Sequence, residues 1–254
     1  MTPLEMLAVF AAGIGAGALN AVVGSGTLVT FPVLLATGLS PVTATVSNAL
    51  GLIPGSVSGA IGYRRELAGQ GRRVRRLAVG SALGGVTGAV LLLALPAAAF
   101  ERIVPSLVGL ALVLVACQPL IGRRVRSRRP KGGSARRDGG WPLFTGLTLA
   151  SVYGGYFAAA QGIIYMALMG MLLDEPLQRL NAVKNVLAAV VNTVAAAFFL
   201  FVADFDWTAV ALIAAGSALG GRLGATTGRR LSPPVLRALI VTIGTVALVQ
   251  LVAR

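Results

Sequence analysis

Histidine is absent from this 254-residue sequence, and cysteine occurs only once, at Cys117 inside an apolar run. These absences exclude an intrachain disulfide, a zinc site built from cysteine and histidine, and acid or base catalysis by histidine. We therefore predict no catalytic residues, no metal site and no cofactor. A membrane-embedded enzyme would need a nucleophile and base pair that the sequence does not display.

Charge is also scarce, because only 12% of residues are charged whereas about a quarter are in a soluble domain. Apolar residues reach 56%, and the mean hydropathy is +0.83. This composition predicts an all-α polytopic membrane protein with no soluble domain. Ten membrane segments are expected, at residues 4–23, 26–38, 42–62, 75–95, 102–121, 142–155, 157–173, 182–203, 208–227 and 235–252.

The basic residues are concentrated rather than dispersed. The net charge is +14, yet 14 of the 22 basic residues fall in two short stretches, residues 64–76 and 123–137. Loops rich in lysine and arginine stay in the cytoplasm, so we predict that both stretches are cytoplasmic in a bacterial plasma membrane. The positive charge then reflects topology, and the expected partners are the lipid bilayer and a small anion, not nucleic acid. Residues 123–140 are Arg- and Gly-rich and are expected to form a mobile linker.

An internal repeat divides the chain. The sequence SALGGVTGA at 81–89 returns as SALGGRLGA at 217–225, with seven of nine positions identical. Weaker landmarks at nearly the same offset pair Pro41 with Pro176, Asn48 with Asn185, Arg102 with Arg237 and Gly109 with Gly244. We predict two five-segment halves, 1–122 and 141–254, joined by the linker. The small residues of the repeated motif predict close helix packing.

An odd number of segments requires the second half to enter the membrane inverted. The charges agree, because the stretch at 64–76 is basic whereas its counterpart near residues 203–207 contains Asp204 and Asp206 and no basic residue. Inverted repeats with broken helices are typical of transporters, and the substrate site then lies at the interface between repeats.

The stretch from Asn20 to Asn48 is the strongest candidate for one half of that site. It contains no Lys, Arg, Asp or Glu, but Gly24 and Gly26 interrupt it. Broken backbone inside a membrane must face protein or a water-filled cavity. Ser25, Gly26 and Thr27 begin a helix whose free N–H groups favour an anion, and the repeat partner is expected near Gly154, Gly155 and Tyr156. Close helix packing is the alternative explanation for these small residues.

Lys184 is the second candidate, because it lies near the start of the apolar segment predicted at 182–203. A cation inside the membrane costs roughly 3 kcal/mol, so it is a functional candidate unless it reaches the cytoplasmic surface along its own stem. Asn181, Asn185 and Asn192 share its helix face at spacings of four and seven. These asparagines form either ligand contacts or interhelical hydrogen bonds. The complete predicted substrate set is Asn20, Gly24, Ser25, Gly26, Thr27, Asn48, Tyr153, Gly154, Gly155, Tyr156, Gln161, Lys184, Asn185 and Asn192.

Several of these stretches carry a resemblance to a known family. The segment from Asn20 to Arg65, the two SALGG motifs, YGGYFAAAQG at 153–162 and LQRLNAVKN at 177–185 closely resemble the TauE/SafE sulfite exporter family. The resemblance covers essentially the whole chain. It implies an integral membrane carrier of sulfite, sulfonates or related small sulfur-containing anions, without naming the anion.

The sequence thus predicts a secondary transporter that exports a small anion by alternating access. A small-anion channel is the main alternative, and a membrane-embedded enzyme is the least supported. No Asp or Glu lies deep in a predicted segment, so neither a cation site nor a carboxylate proton relay is indicated. We expect export driven by the membrane potential and the substrate gradient. Nothing in the sequence indicates an oligomeric state.

Overall fold

A computed structural model describes residues 1–127 and 139–227, together with positions 238, 241, 242, 245, 248 and 249. The described residues contain helices and connections but no strand, which confirms an all-α membrane protein. Eleven helices are defined within these ranges. They are α1 (Pro3–Val22), α2 (Thr27–Ala36), α3 (Pro41–Gly51), α4 (Ile53–Gly62), α5 (Gly71–Ala94), α6 (Ala97–Ala116), α7 (Gln118–Ser127), α8 (Gly140–Tyr156), α9 (Gln161–Leu172), α10 (Leu177–Val202) and α11 (Trp207–Thr227).

Helices α1, α5, α6, α10 and α11 are long and apolar enough to cross a membrane. Large apolar side chains on their outer faces are exposed, for example Phe201 at 88%, as expected of a surface that lipid covers. By contrast, α2 has 10 residues and α9 has 12. At 1.5 Å per residue they extend about 15 and 18 Å, which is too short for a hydrocarbon core of roughly 30 Å. Each is therefore a short helix that follows a longer one, α1 or α8, across a break.

Local sequence explains where several helices begin and end. Thr2 and Glu5 form a capping box at the start of α1, and Ser40 caps α3 ahead of Pro41. After α1, Gly24 adopts a φ of +86°, a left-handed conformation that favours glycine and stops the helix. The predicted break in the first half is therefore present at the predicted residue.

Several predicted boundaries were wrong. The segment predicted at 182–203 begins at Leu177, and the one predicted at 157–173 begins at Gln161. The segment predicted at 42–62 is two helices, α3 and α4, divided at Leu52, and Pro54 in the first turn of α4 accounts for the division. The segment predicted at 75–95 begins at Gly71, so the basic stretch continues into α5. The fifth segment, predicted at 102–121, is α6 followed by α7, and α7 includes residues 123–127 of the predicted linker. Residues 128–138 of the linker lie outside the described residues, as does most of the tenth segment at 235–252.

The repeated motif packs helices closely, as its small residues predict. A Cβ atom added at Gly220 would collide with the backbone oxygen of Ile14 on α1, and one added at Gly84 would collide with that of Thr148 on α8. The order of such contacts along each pair shows that α11 runs parallel to α1 and that α5 runs parallel to α8. The packing interpretation of the two motifs is confirmed.

Candidate functional site

Two helix breaks meet inside the protein. The first lies between α1 and α2, and the second, residues 157–160, lies between α8 and α9. The N–H of Gly162 donates a hydrogen bond of 3.1 Å to the carbonyl oxygen of Gly24, and a Cβ atom on Gly24 would collide with the Cα of Gly162. Only glycines allow these two segments of the backbone to approach so closely. The start of α9 is thereby fixed against the end of α1.

Lys184 lies beside this crossing and is completely buried. Its ammonium donates hydrogen bonds to the backbone oxygens of Asn20, at 2.7 Å, and Ala21, at 3.3 Å. These oxygens belong to the last turn of α1, where the helix dipole favours a cation. In the described part of the chain no carboxylate pairs with this ammonium. Lys184 therefore points into the protein and does not extend to the cytoplasmic surface, which was the alternative.

Asparagines on α10 complete the contact with the end of α1. The side-chain amides of Asn181 and Asn185 both donate to the carbonyl oxygen of Ala21, at 2.9 and 3.2 Å. On the other side of the break, the side-chain oxygen of Asn20 accepts a 2.7 Å hydrogen bond from the N–H of Gly26. One face of α10 thus binds the C-terminal end of α1. Asn20 also binds the N–H of Gly26, the residue that directly precedes α2.

A small cavity lies at this crossing. Its volume is about 20 Å³, which is room for about one water molecule. The N-terminal residues of α2 and α9, Thr27 and Gln161, contribute to its wall, so the partially positive ends of two short helices face it. Its lining residues are Asn20, Gly24, Thr27, Ala158, Gln161, Gly162, Lys184, Ala188 and Asn192.

Hydrogen bonds hold the second break in place. The Tyr153 hydroxyl donates to the carbonyl oxygen of Ala159 at 2.7 Å. The Gln161 amide donates to the Tyr165 hydroxyl at 2.7 Å, and that hydroxyl also lies 2.6 Å from Ser151 Oγ. A Cβ atom on Gly154 would collide with the Gln161 side chain. Because glycine has no Cβ, the Gln161 side chain fits against Gly154. Gln161 is therefore held in position before any substrate binds.

The connection between α8 and α9 is strained. Ala158 and Ala160 have φ values of +63° and +58°, in the left-handed region that non-glycine residues seldom adopt. Such a conformation costs of order 1 to 3 kcal/mol and is characteristic of functional sites. The strain lies directly at the cavity, since Ala158 is part of its wall.

The structure brings together six of the predicted site residues around the cavity: Asn20, Gly24, Thr27, Gln161, Lys184 and Asn192. Ser25 and Gly26 lie next to them in the first break. Asn48 instead joins α3 to α2, because its side chain contacts Thr27 and Thr30. Asn185 binds α1, and Tyr153 braces the second break.

One part of the predicted geometry was wrong. Gly154, Gly155 and Tyr156 form the last turn of α8 and do not begin a helix, because the second short helix starts at Gln161. Gly155 packs against the backbone of Gly85, and Tyr156 stacks edge-on with Phe100 at 5.4 Å between ring centroids. The short helix of the second half, α9, thus begins at Gln161, five residues after the predicted start near Tyr156.

Three lining residues were not in the predicted set: Ala158, Gly162 and Ala188. Gly162 carried a usable signal, because it lies 138 residues after Gly24, close to the repeat offset of 136. The two alanines carried none, since alanine is common in membrane helices and has no polar side chain.

The lining of the small cavity is polar and includes one cationic side chain. A buried ammonium, amide groups, a threonine hydroxyl and two helix N-termini surround the cavity. Among the described residues no three His, Cys, Asp or Glu side chains come close enough to hold a metal ion. A larger cavity of about 170 Å³ is lined in part by Val23 and Ile163, the chain neighbours of Gly24 and Gly162.

Comparison with known proteins identifies the family of the chain. The family profile for the sulfite exporter TauE/SafE matches residues 9–251. The chain belongs to the TauE/SafE family. It is 27% identical to a probable membrane transporter protein of Haemophilus influenzae, over 92% of this chain and 91% of that protein. It is 28% identical to the probable membrane transporter protein YfcA of Escherichia coli, over 97% of this chain and 89% of that protein.

A third relative, the probable membrane transporter protein ORF9 of a Sinorhizobium species, is 24% identical over 96% of this chain and 91% of its own length. No solved structure gives a significant match. Family and relatives together identify a multi-pass membrane transporter, so the TauE/SafE resemblance of the sequence is confirmed.

Proposed function

We propose that this transporter exports a small anion of the size and charge of sulfite or a short sulfonate. The observation that carries the proposal is Lys184: a fully buried ammonium at the crossing of two helix breaks, without a carboxylate partner in the described part of the chain. An ammonium has three N–H donors, and two are directed at backbone oxygens. The third is available to an anion in the cavity that Lys184 lines.

Alternating access between two inverted halves is the proposed mechanism. The packing supports it, because corresponding helices exchange partners: α1 of the first half lies along α11 of the second, and α8 of the second lies along α5 of the first. A cavity with room for about one water molecule also supports it, since a sulfite ion needs more space. The conformation described here would then be a closed one that opens to accept substrate.

The proposed orientation places the basic stretches at the cytoplasmic face of the plasma membrane. Arg73, near the start of α5, forms a 2.9 Å ion pair with Glu175 in the connection between α9 and α10. The two connections therefore lie at one end of the molecule, which in this proposal is the cytoplasmic end. The cavity of about 170 Å³, whose wall includes Gln118 of α7 and Leu177 of α10, lies between the site and that end and is the proposed route of access.

Tracer flux in proteoliposomes tests the proposal. Vesicles that contain the purified protein are loaded with radiolabelled sulfite, sulfoacetate, sulfate or chloride, and efflux is measured over a range of concentrations and temperatures. We expect saturable, steeply temperature-dependent flux for sulfite or sulfoacetate. Flux that rises linearly with concentration and responds weakly to temperature would identify a channel. Chemical conversion of the anion without flux would identify an enzyme.

A further inference from the structure

The end of α1 presents backbone oxygens that the helix itself does not satisfy. The last four carbonyl groups of a helix have no intrahelical donor. Here the N–H groups of Val23 and Gly24 both donate to the carbonyl oxygen of Leu19. The carbonyl oxygens of Asn20 and Ala21 are therefore left to side chains from α10, inside the protein and beside a helix break.

A third oxygen lies next to this pair. Asn181 donates its amide N–H to Ala21, and its own side-chain oxygen is buried with no hydrogen-bond partner among the described residues. The whole residue is 94% buried, since only 6% of its surface is exposed. An oxygen in this state costs free energy unless a donor or a cation reaches it. The three oxygens thus form one electronegative patch.

In transporters with broken helices, oxygens at the C-terminal end of a half-helix hold the coupling Na⁺ or H⁺. In this protein the ammonium of Lys184 occupies that place, bound to Asn20 and Ala21. We infer that Lys184 is a tethered cation that takes the position of a coupling Na⁺, so that the carrier works without Na⁺. A free cation beside the ammonium would be repelled, and no carboxylate pairs with Lys184 to offset the added charge.

The inference extends the proposed function, but its main test does not depend on transport. The substitution Lys184→Ala removes the atoms beyond Cβ, which have the structure of propylammonium. Purified Lys184→Ala is heated in detergent with increasing propylammonium chloride, with NaCl, or with tetramethylammonium chloride, which is charged but cannot donate. We expect propylammonium and Na⁺ to raise the Tm saturably, by about 3 °C at ten times the dissociation constant, and tetramethylammonium to have no such effect.

Asn192→Ala is the matched control, because Asn192 lines the same cavity but does not contact the α1 oxygens. We expect its Tm to show no saturable response to either cation. Absence of a response in Lys184→Ala, or an equal response in Asn192→Ala, would overturn the inference. If Lys184→Ala cannot be purified, the wild type decides: its Tm and its tracer flux should be the same in NaCl and in choline chloride, and Na⁺ stimulation of either would contradict the tethered cation.

The two proposals can fail separately. Wild-type protein that transports none of the anions tested, but whose Lys184→Ala variant responds to propylammonium, would refute the proposed substrate class and leave the cation site standing. Saturable anion flux that requires Na⁺ would support the transporter and refute the tethered cation.

Discussion

Lys184 is the residue on which the account of the site depends. A buried ammonium is tolerated only when hydrogen bonds replace its hydration, and here the oxygens of Asn20 and Ala21 do so. Because the two carbonyls belong to the first half and the lysine to the second, this contact also holds the halves together. A substrate anion that approaches Lys184 would add a second set of partners, without requiring the ammonium to leave the α1 oxygens.

Replacing that charge should impair transport more than folding. We predict that Lys184→Met lowers the rate of anion flux by about tenfold to a hundredfold, because a hydrogen bond to a charged group contributes roughly 1.5 to 3 kcal/mol. Methionine retains most of the volume, so the amount of protein in the membrane should stay near that of wild type. Lys131→Met, at the only other lysine, is the control. Wild-type flux in Lys184→Met would exclude a role for the ammonium in substrate recognition.

Because the backbone at Ala158 is strained, substitutions there should change the Tm in opposite directions. Relief of a left-handed alanine is worth about 1 to 2 kcal/mol, partly offset by the greater freedom of glycine in the unfolded chain. We predict that Ala158→Gly raises the Tm slightly and that Ala158→Val lowers it by several degrees. Ala189→Gly, in the ordinary helix α10, should lower it instead. Equal Tm values for Ala158→Val and wild type would show that this backbone conformation is absent in solution.

Close packing between α1 and α11, and between α5 and α8, joins the helices of this protein. Gly84 and Gly220 are equivalent in the repeat, and each allows backbone contact with a parallel helix of the other half. We predict that Gly84→Ala and Gly220→Ala each destabilise the protein by about 1 to 3 kcal/mol, because the added methyl group must push two helices apart. Fluorescence-detected size exclusion after heating would measure the loss.

Gly109→Ala is the control for that experiment, since Gly109 also lies within an apolar helix but has no described atom within 4 Å of the added methyl group. We expect its folded yield to be at least that of wild type, because alanine favours a helix more than glycine does. Equal tolerance at all three glycines would mean that α1 and α11, and α5 and α8, do not approach as closely as described.

The ion pairs of Glu175 connect three elements at one end of the molecule. Burial alone would raise the pKa of Glu175, but hydrogen bonds from Arg73 and Arg179, together with their charges, hold it below the ordinary value of 4.5. Because the folded pKa is lowered, the stabilisation is present above about pH 4.5 and is lost as pH falls through the folded pKa.

We therefore predict that Glu175→Gln loses about 0.5 to 1 kcal/mol of stability at pH 7, and that the difference from wild type disappears in strong acid. Thermal unfolding of the two proteins from pH 7 down to pH 3 would measure it. Glu101→Gln, on the exposed start of α6, is the control. A difference that stays constant over this range would show that the carboxylate charge of Glu175 does not contribute.

The sequence could predict the elements that depend on local chemistry. Gly24 stops α1 because glycine adopts its left-handed conformation readily, and the small residues of the repeated motif indicate close packing. It could not predict that α9 starts at Gln161, because Ala158 and Ala160 adopt conformations that alanine seldom adopts. The sequence also could not predict the burial of Lys184, because the contact that buries it is with the end of α1, more than 160 residues earlier.

At the scale of the whole molecule, two features act together. The halves interlock through α1 with α11 and α5 with α8, and the candidate site lies where their helix breaks cross. The site contains a cation but no carboxylate among its lining residues, which leaves it suited to an anion and without an evident proton relay. Moving one negative charge outward across an inside-negative membrane gains about 2.3 kcal/mol per 100 mV, so the export that we propose would need no coupled ion.

Voltage-driven efflux distinguishes export powered by the membrane potential from export coupled to a proton. Proteoliposomes loaded with radiolabelled sulfite are given a potassium diffusion potential with valinomycin, at equal pH on both sides and without Na⁺. We predict that an inside-negative potential accelerates saturable efflux, that an inside-positive potential slows it, and that Lys184→Met abolishes most of the voltage-driven component. Efflux that ignores the imposed voltage but follows an imposed pH gradient would contradict the account, because the anion would then move together with a proton.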